Sequence, residues 1–147
     1  EVSENMFYSG LPNMRNFCSD RAILRAMHYF TETKRAKEEA NALKNKDIAR
    51  FLKLVNESGI SSGNFLQNLY SSKSPAQQSI PLAIAISKSI LGDNGAVRVH
   101  GGGFAGTIQA FVPTNLVNEY KINLENLFGA DSCHILKIRP VGGIKII

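Results

Sequence analysis

The sequence predicts an α+β domain in which a helical region precedes an antiparallel sheet packed with helices. Three observations carry that expectation. Apolar residues recur at three- and four-residue steps through the first half of the chain. Short alternating runs rich in β-branched residues follow only after Gly95. Two of those runs flank a stretch, Gly101-Gly102-Gly103-Phe104-Ala105-Gly106, that carries four of the 12 glycines in the chain.

Taken in order, residues 1–17 contain Gly10 and Pro12 without a sustained period, and read as an irregular lead-in able to pair with a strand elsewhere. Ser19 or Asp20 caps a long helix to about Lys44, with Ile23, Ala26, Met27, Phe30, Thr33, Ala36, Ala40 and Leu43 as its buried stripe. Asp47 caps a second helix through Ser58, with Ile48, Phe51, Leu52 and Val55 inward and Gly59 at the left-handed stop. A short helix from Ser61 or Ser62 places Phe65, Leu66, Leu69 and Tyr70 on one side.

After the loop Ser71–Pro75, a helix starts near Ser74 and kinks at Pro81, or starts afresh at Ser79; it ends at Leu91-Gly92. Leu82 to Ile86 is apolar on every side, which predicts deep burial. Strands follow at 96–100 and 107–112. Pro113-Thr114 opens a helix to Phe128 with Leu116, Val117, Tyr120, Leu124, Leu127 and Phe128 inward. Cys133 to Ile138 alternates as a strand, and Ile144 to Ile147 is a final one.

At 147 residues the chain is expected to form a single domain with a substantial core. No apolar run approaches the roughly 20 residues of a membrane span, so no membrane partner is expected. Because the first residue is Glu1, the chain is expected to be cut from something longer. Cys18 and Cys133 are distant and outside any metal-ligand spacing, and read as buried free thiols of a reducing cytoplasm. The net charge of +5 is concentrated between Arg21 and Lys53, which reads first as a solvated helix face and only second as a nucleic-acid surface.

Gly101 to Gly106 fits G-x-G-x-x-G, but a dinucleotide site needs a helix to follow the last glycine. Here a strand follows, and no Gly-Lys-Ser/Thr makes a Walker loop. A glycine-rich hairpin connection and a phosphate-cradling backbone both remain. His100 and Thr107 flank the loop and are candidates to orient it.

Arg25, His28, Glu32 and Arg35 fall on one helix face at three- and four-residue steps. If exposed, such neighbours stabilise the helix by about 0.2–0.5 kcal/mol per pair. They read as a surface ladder or as an interface to another domain. No nucleophile elbow, metal spacing or carboxylate pair occurs, so no catalytic residue is assigned. A glycine loop without reacting groups looks like half of a site.

Arg25-x-x-His28-x-x-x-Glu32-x-x-Arg35 resembles the R-x-x-H-x-x-x-E-x-x-R helix of galactokinases. Glu57-Ser58-Gly59-x-Ser61 is similar to a later serine-containing turn of that family. Gly101-x-Gly103-Phe104-Ala105-Gly106 resembles the third motif of the GHMP small-molecule kinases. The resemblance runs from about Met6 to Ile147. The family usually reads T-G-A-G-F-G-G-C where this chain has His100 to Thr107, and Gln77-Gln78-Ser79 replaces an E-L-D triplet, which suggests a divergent branch.

The resemblance implies a GHMP-kinase C-terminal-type domain, a ferredoxin-like antiparallel sheet packed with helices and preceded by a helical region. The intact enzyme would pass the ATP γ-phosphate to the anomeric hydroxyl of galactose or a related sugar, with Mg²⁺. ATP and Mg²⁺ would be bound mainly by a separate N-terminal domain carrying the phosphate loop and the catalytic groups. That domain and the sugar are the implied partners, and the cytoplasm the implied location. Gly101, Gly102, Gly103, Phe104, Ala105 and Gly106 would line the ATP and sugar cleft, and the chain alone would be inactive. Gly103→Val is expected to abolish activity while leaving the domain folded. The alternatives are a non-catalytic ligand- or nucleic-acid-binding module on the same sheet, and a sugar sensor descended from the kinase.

Overall fold

The computed structural model describes residues 2–104 and 106–138. Five helices and one antiparallel hairpin make an α+β architecture among them. The helices are α1 (Glu4–Met14), α2 (Asp20–Lys44), α3 (Ile48–Ser61), α4 (Ser79–Leu91) and α5 (Val117–Phe128). The hairpin pairs β1 (Ala96–Val99) with β2 (Ile108–Phe111), Ala96 opposite Phe111 and Val99 opposite Ile108.

The hairpin is covered on both faces. Cross-strand partners share a face, so Ala96 and Phe111 look one way while the pairs Val97–Ala110 and Val99–Ile108 look the other. On the first face α3 packs Phe51, Leu54 and Val55 against Ala96, with Phe111 edge-on to Phe51 at 5.0 Å between ring centres. On the second, Ile108 and Ala110 meet Ala83 and Leu91 of α4 and Tyr120 and Leu124 of α5. The buried Ser87 hydroxyl is 2.7 Å from that of Tyr120, so the polar atoms inside this second core satisfy each other.

Local signals explain where the helices start. The Ser19 hydroxyl accepts the Ala22 N–H at 3.3 Å, and the Asp47 carboxylate accepts the Arg50 N–H at 2.9 Å. α4 starts afresh at Ser79, which puts Pro81 in the first turn, where its missing N–H leaves no bond unmade.

Several expectations are corrected. Residues 4–14 are helical: Ser3 caps α1, and Phe7 packs on Phe30 of α2 at 5.1 Å. α3 does not stop at Gly59 but runs to Ser61, because that glycine marks a crossing rather than a terminus. A Cβ there would lie 3.1 Å from the Cβ of Arg98 and 3.2 Å from the Val97 carbonyl. The short helix after Ser61 is a π-helical turn, Ser62–Leu66, ended by Gln67 at φ +52°. Leu82 is 51% exposed, since α4 buries only Ile80, Ala83, Ser87 and Leu91.

Thr33, Ala36, Ala40 and Leu43 of α2 are exposed, because that helix packs through its other face. Cys18 is exposed and Cys133 half-buried. Cys133 to Ile138 pairs with no strand among the described residues, and the expected strand at 144–147 lies outside them. The sheet shown is therefore two-stranded.

Leu54 and Leu82 separate a core position from a surface one. Leu54→Ala is expected to cost about 2–5 kcal/mol, as for a fully buried leucine. Leu82→Ala should cost less than about 1 kcal/mol. Urea-denaturation midpoints of the two variants check the difference, and equal losses would contradict the packing.

Candidate functional site

The glycine loop joins β1 to β2, and the His100 N–H donates to the Thr107 carbonyl at 3.1 Å as the last rung before it opens. Beyond that rung the chain takes positive φ at Gly101, Gly103, Phe104 and Gly106. Ala105 lies outside the described residues. His100 and Thr107 are both exposed, and they meet through backbone rather than side chains.

A neighbouring segment holds the loop. After the π-helical turn, the left-handed Gln67 swings the chain so that Asn68, 3% exposed, lies under the glycines. The Asn68 side-chain amide donates to the Gly102 carbonyl at 3.2 Å, and the Asn68 backbone carbonyl accepts the Phe104 N–H at 3.0 Å. Its Oδ1 is buried and has no partner among the described residues.

The glycines here serve two ends. A Cβ on Gly103 would sit 2.2 Å from the Asn68 carbonyl oxygen, so this glycine lets the loop press on its own support. Cβ atoms on Gly101, Gly102 and Gly106 would meet nothing within 4 Å. That corrects the expectation for Gly103→Val, whose first clash is within the domain. Phe104 holds a left-handed conformation that costs a bulky residue about 1–2 kcal/mol, while its ring stays 53% exposed.

Beside the loop lies a groove of about 570 Å³, reached from four segments by Arg21, Asn64, Gln67, Tyr70, Lys73 and Phe104. No acidic residue lines it. A second concavity, about 410 Å³ between α1 and α2, is mainly apolar and has its Arg15 and Asp20 paired at 3.1 Å. It presents no unspent charge.

The charged face of α2 is placed against this chain's own α3 and β1. Glu32 accepts from Arg35 and from the Ser58 hydroxyl of α3. Arg98 of β1 donates to Ser58 Oγ at 2.6 Å and stands 3.5 Å from Glu32. Arg35 also lies 4.0 Å from Glu57, and His28 Nδ1 shares a 2.9 Å hydrogen bond with Ser61 Oγ. Arg25 is exposed and stands outside this network. Ser58 and Ser61 thus act from within a helix, not from a turn as the resemblance implied.

Burial sets the titration of two groups here. It lowers the His28 pKa below its ordinary 6.5, with Glu32 opposing the shift and Arg35 and Arg98 adding to it. It raises the Glu39 pKa, against the pull of Arg98, and one Glu39 oxygen is buried without a partner among the described residues. The network fixes the approach of β1 to the helices; it offers no open face for a reacting group.

Asn68, Gln67 and Arg98 are the residues that sequence reasoning missed, while Ser58 and Ser61 are singled out by the resemblance but placed in a turn. Arg98 alone left a signal, as a cation inside an otherwise apolar strand. Among the described residues no three histidine, cysteine or carboxylate side chains converge to hold a metal.

The His28 shift has a sign that can be measured. With its folded-state pKa lowered, stability is full above pH 6.5 and falls as the pH drops below it, because the unfolded chain takes the proton more readily. Glu39 has the opposite slope, its contribution being full below 4.5 and lost as the pH rises through its folded-state pKa. His28→Gln is expected to lose less stability than wild type between pH 7.5 and about 5.5, read from urea midpoints at both. Identical losses would remove His28 from the acid response. No protein-family model matches the chain, so what the site does has to be read from this geometry.

Proposed function

We propose that the chain is the C-terminal domain of a galactokinase-like GHMP kinase, which moves the ATP γ-phosphate to the anomeric hydroxyl of galactose or a related sugar. The observation that carries this is the loop itself. Gly101, Gly102 and Gly106 turn a backbone without side chains toward open space, while Gly103 and Asn68 keep it in place. A loop built to be both bare and fixed suits one wall of a phosphoryl-transfer cleft, where catalysis is mostly positioning and charge stabilisation. The resemblance of Arg25, His28, Glu32 and Arg35 to the galactokinase helix supports the same reading, with Glu32 reaching Arg98 of β1, Arg35 backing Glu32 and His28 bonded to Ser61 of α3.

The residues present fit part of what the reaction needs. Arg21 and Lys73 lie beside the loop and suit the phosphates of ATP or of the product. Mg²⁺ takes carboxylate and phosphate oxygens, and no carboxylate lines the groove, so the metal and most of the ATP contacts belong to the separate N-terminal domain. That domain and the sugar are the partners of this reading. No helix among the described residues is long and apolar enough to cross a membrane.

Two measurements test the proposal. ATP turnover with galactose should appear in the protein that includes the N-terminal domain and be absent from the 147-residue chain. Robust turnover by the chain alone sinks it. Gly102→Val is the cleaner loop variant, since Gly102 has ordinary φ and open space. It should leave the thermal midpoint within about 2 °C while reducing turnover of the intact enzyme at least tenfold. Unchanged turnover would return the loop to a hairpin connection.

A further inference from the structure

The stripe of α2 that periodicity marks for burial is left uncovered. Ala22, Tyr29, Thr33, Ala36, Ala40 and Leu43 are all exposed, Tyr29 at 65% and Leu43 at 47%. The half-buried Ala26 fills the one gap between them. Together they advance in alternating steps of four and three residues, the heptad spacing of a helix that packs along another helix. The seam keeps that spacing for three heptads and spans about 32 Å. Thr33 does not interrupt it: its hydroxyl is spent on the Tyr29 carbonyl at 2.8 Å and asks nothing of a partner.

Charge on this helix is sorted by face. All four acids of α2 are engaged within the chain: Asp20 with Arg15, Glu38 with Arg50 of α3, Glu32 with Ser58 and Arg98, and Glu39 half-buried within reach of the Arg98 charge. Arg25, Lys34, Lys37 and Lys44 are exposed and make no ion pair with any described residue. The outward side of α2 is therefore apolar along its middle and cationic, without a free acid, at its margins.

That combination selects among occupants. A second copy would set these cations against one another across the seam, with no acid of α2 free to pair them. A nucleic acid would satisfy the cations and leave the heptad spacing without a purpose, since phosphates need no apolar seam. A helix with large apolar residues at its own heptad positions fills the space above Ala22, Ala36 and Ala40, and acids on its flanks meet the lysines.

We infer that the exposed face of α2 is a docking surface for an acidic amphipathic helix of a partner protein. None of the seam residues lines the groove beside the glycine loop, so the inference does not rest on the kinase reading.

A fluorescently labelled peptide of three Glu-Ile-Ala-Ala-Leu-Glu-Ala heptads tests it, with anisotropy read at about 0.15 M salt. It should bind the 147-residue chain at least tenfold more tightly than a peptide of the same residues in scrambled order. Lys37→Glu combined with Lys44→Glu should weaken binding roughly tenfold. Ala36→Gln, which puts a larger polar side chain into the seam without changing charge, should do the same. These positions are exposed, so the variants should keep the thermal midpoint within about 2 °C of wild type. Equal affinity for the ordered and scrambled peptides would overturn the inference, because charge alone would then explain the binding. So would a DNA duplex of the peptide's length that binds more tightly than the peptide and is indifferent to Ala36→Gln. A sedimenting dimer of the chain that Ala36→Gln dissociates would give the seam to a second copy, and would overturn it equally.

Discussion

Much of this structure follows from the need to satisfy the Glu32 carboxylate. It is half-buried between α2, α3 and β1, and a carboxylate taken from water must be met by donors or charge. Arg35 meets it from its own helix, Ser58 from α3 and Arg98 from β1. Those three partners set the rotation of α2, the side of α3 that faces it and the face of β1 that carries Arg98. Once Arg98 looks toward the helices, strand alternation sends Val97 and Val99 to the opposite core. A polar cluster thus specifies the orientation that the two apolar cores then fill.

That cluster also explains what the sequence concealed. The starts of α2 and α3 were legible because caps are local: Ser19 and Asp47 bond to N–H groups three residues on. Ser3 does the same for α1, ahead of a Gly10 and Pro12 that hid the helix. The hairpin was legible from alternation on either side of the glycines. The rotation of α2 was not, since counting apolar residues from Ile23 to Leu43 favours burying that stripe. Only the arrival of Ser58, Ser61 and Arg98 from elsewhere makes the polar face the packed one. Gly59 misled for a related reason. A glycine that admits a crossing strand and a glycine that ends a helix look alike until the strand is placed.

The candidate site divides along the same line. The glycine loop stood out in the sequence, but Asn68 did not, because nothing in Leu66-Gln67-Asn68-Leu69 announces that this segment will lie beneath residues 102–104. The π-helical turn that brings it there is a tertiary outcome with no composition of its own. Knowing Asn68 changes the meaning of the glycines one by one. Gly103 answers to the interior of the domain, whereas Gly101, Gly102 and Gly106 face away from it. Phe104 is the exception that shows how firmly the loop is held, since a bulky residue keeps left-handed backbone only when its surroundings impose it.

Asn56 has a consequence of another kind. From α3 its side-chain oxygen accepts the Val97 N–H at 3.1 Å, and its amide donates to the Gly95 carbonyl at 3.3 Å. One side chain thereby stands in for a neighbouring strand along the margin of β1. A flat margin with free N–H and C=O groups is what lets sheets recruit foreign chains and aggregate. At this margin those groups are already spent, and the helix that spends them blocks the approach. The hairpin is closed to growth beside Val97, and any strand that extends it has to join alongside β2.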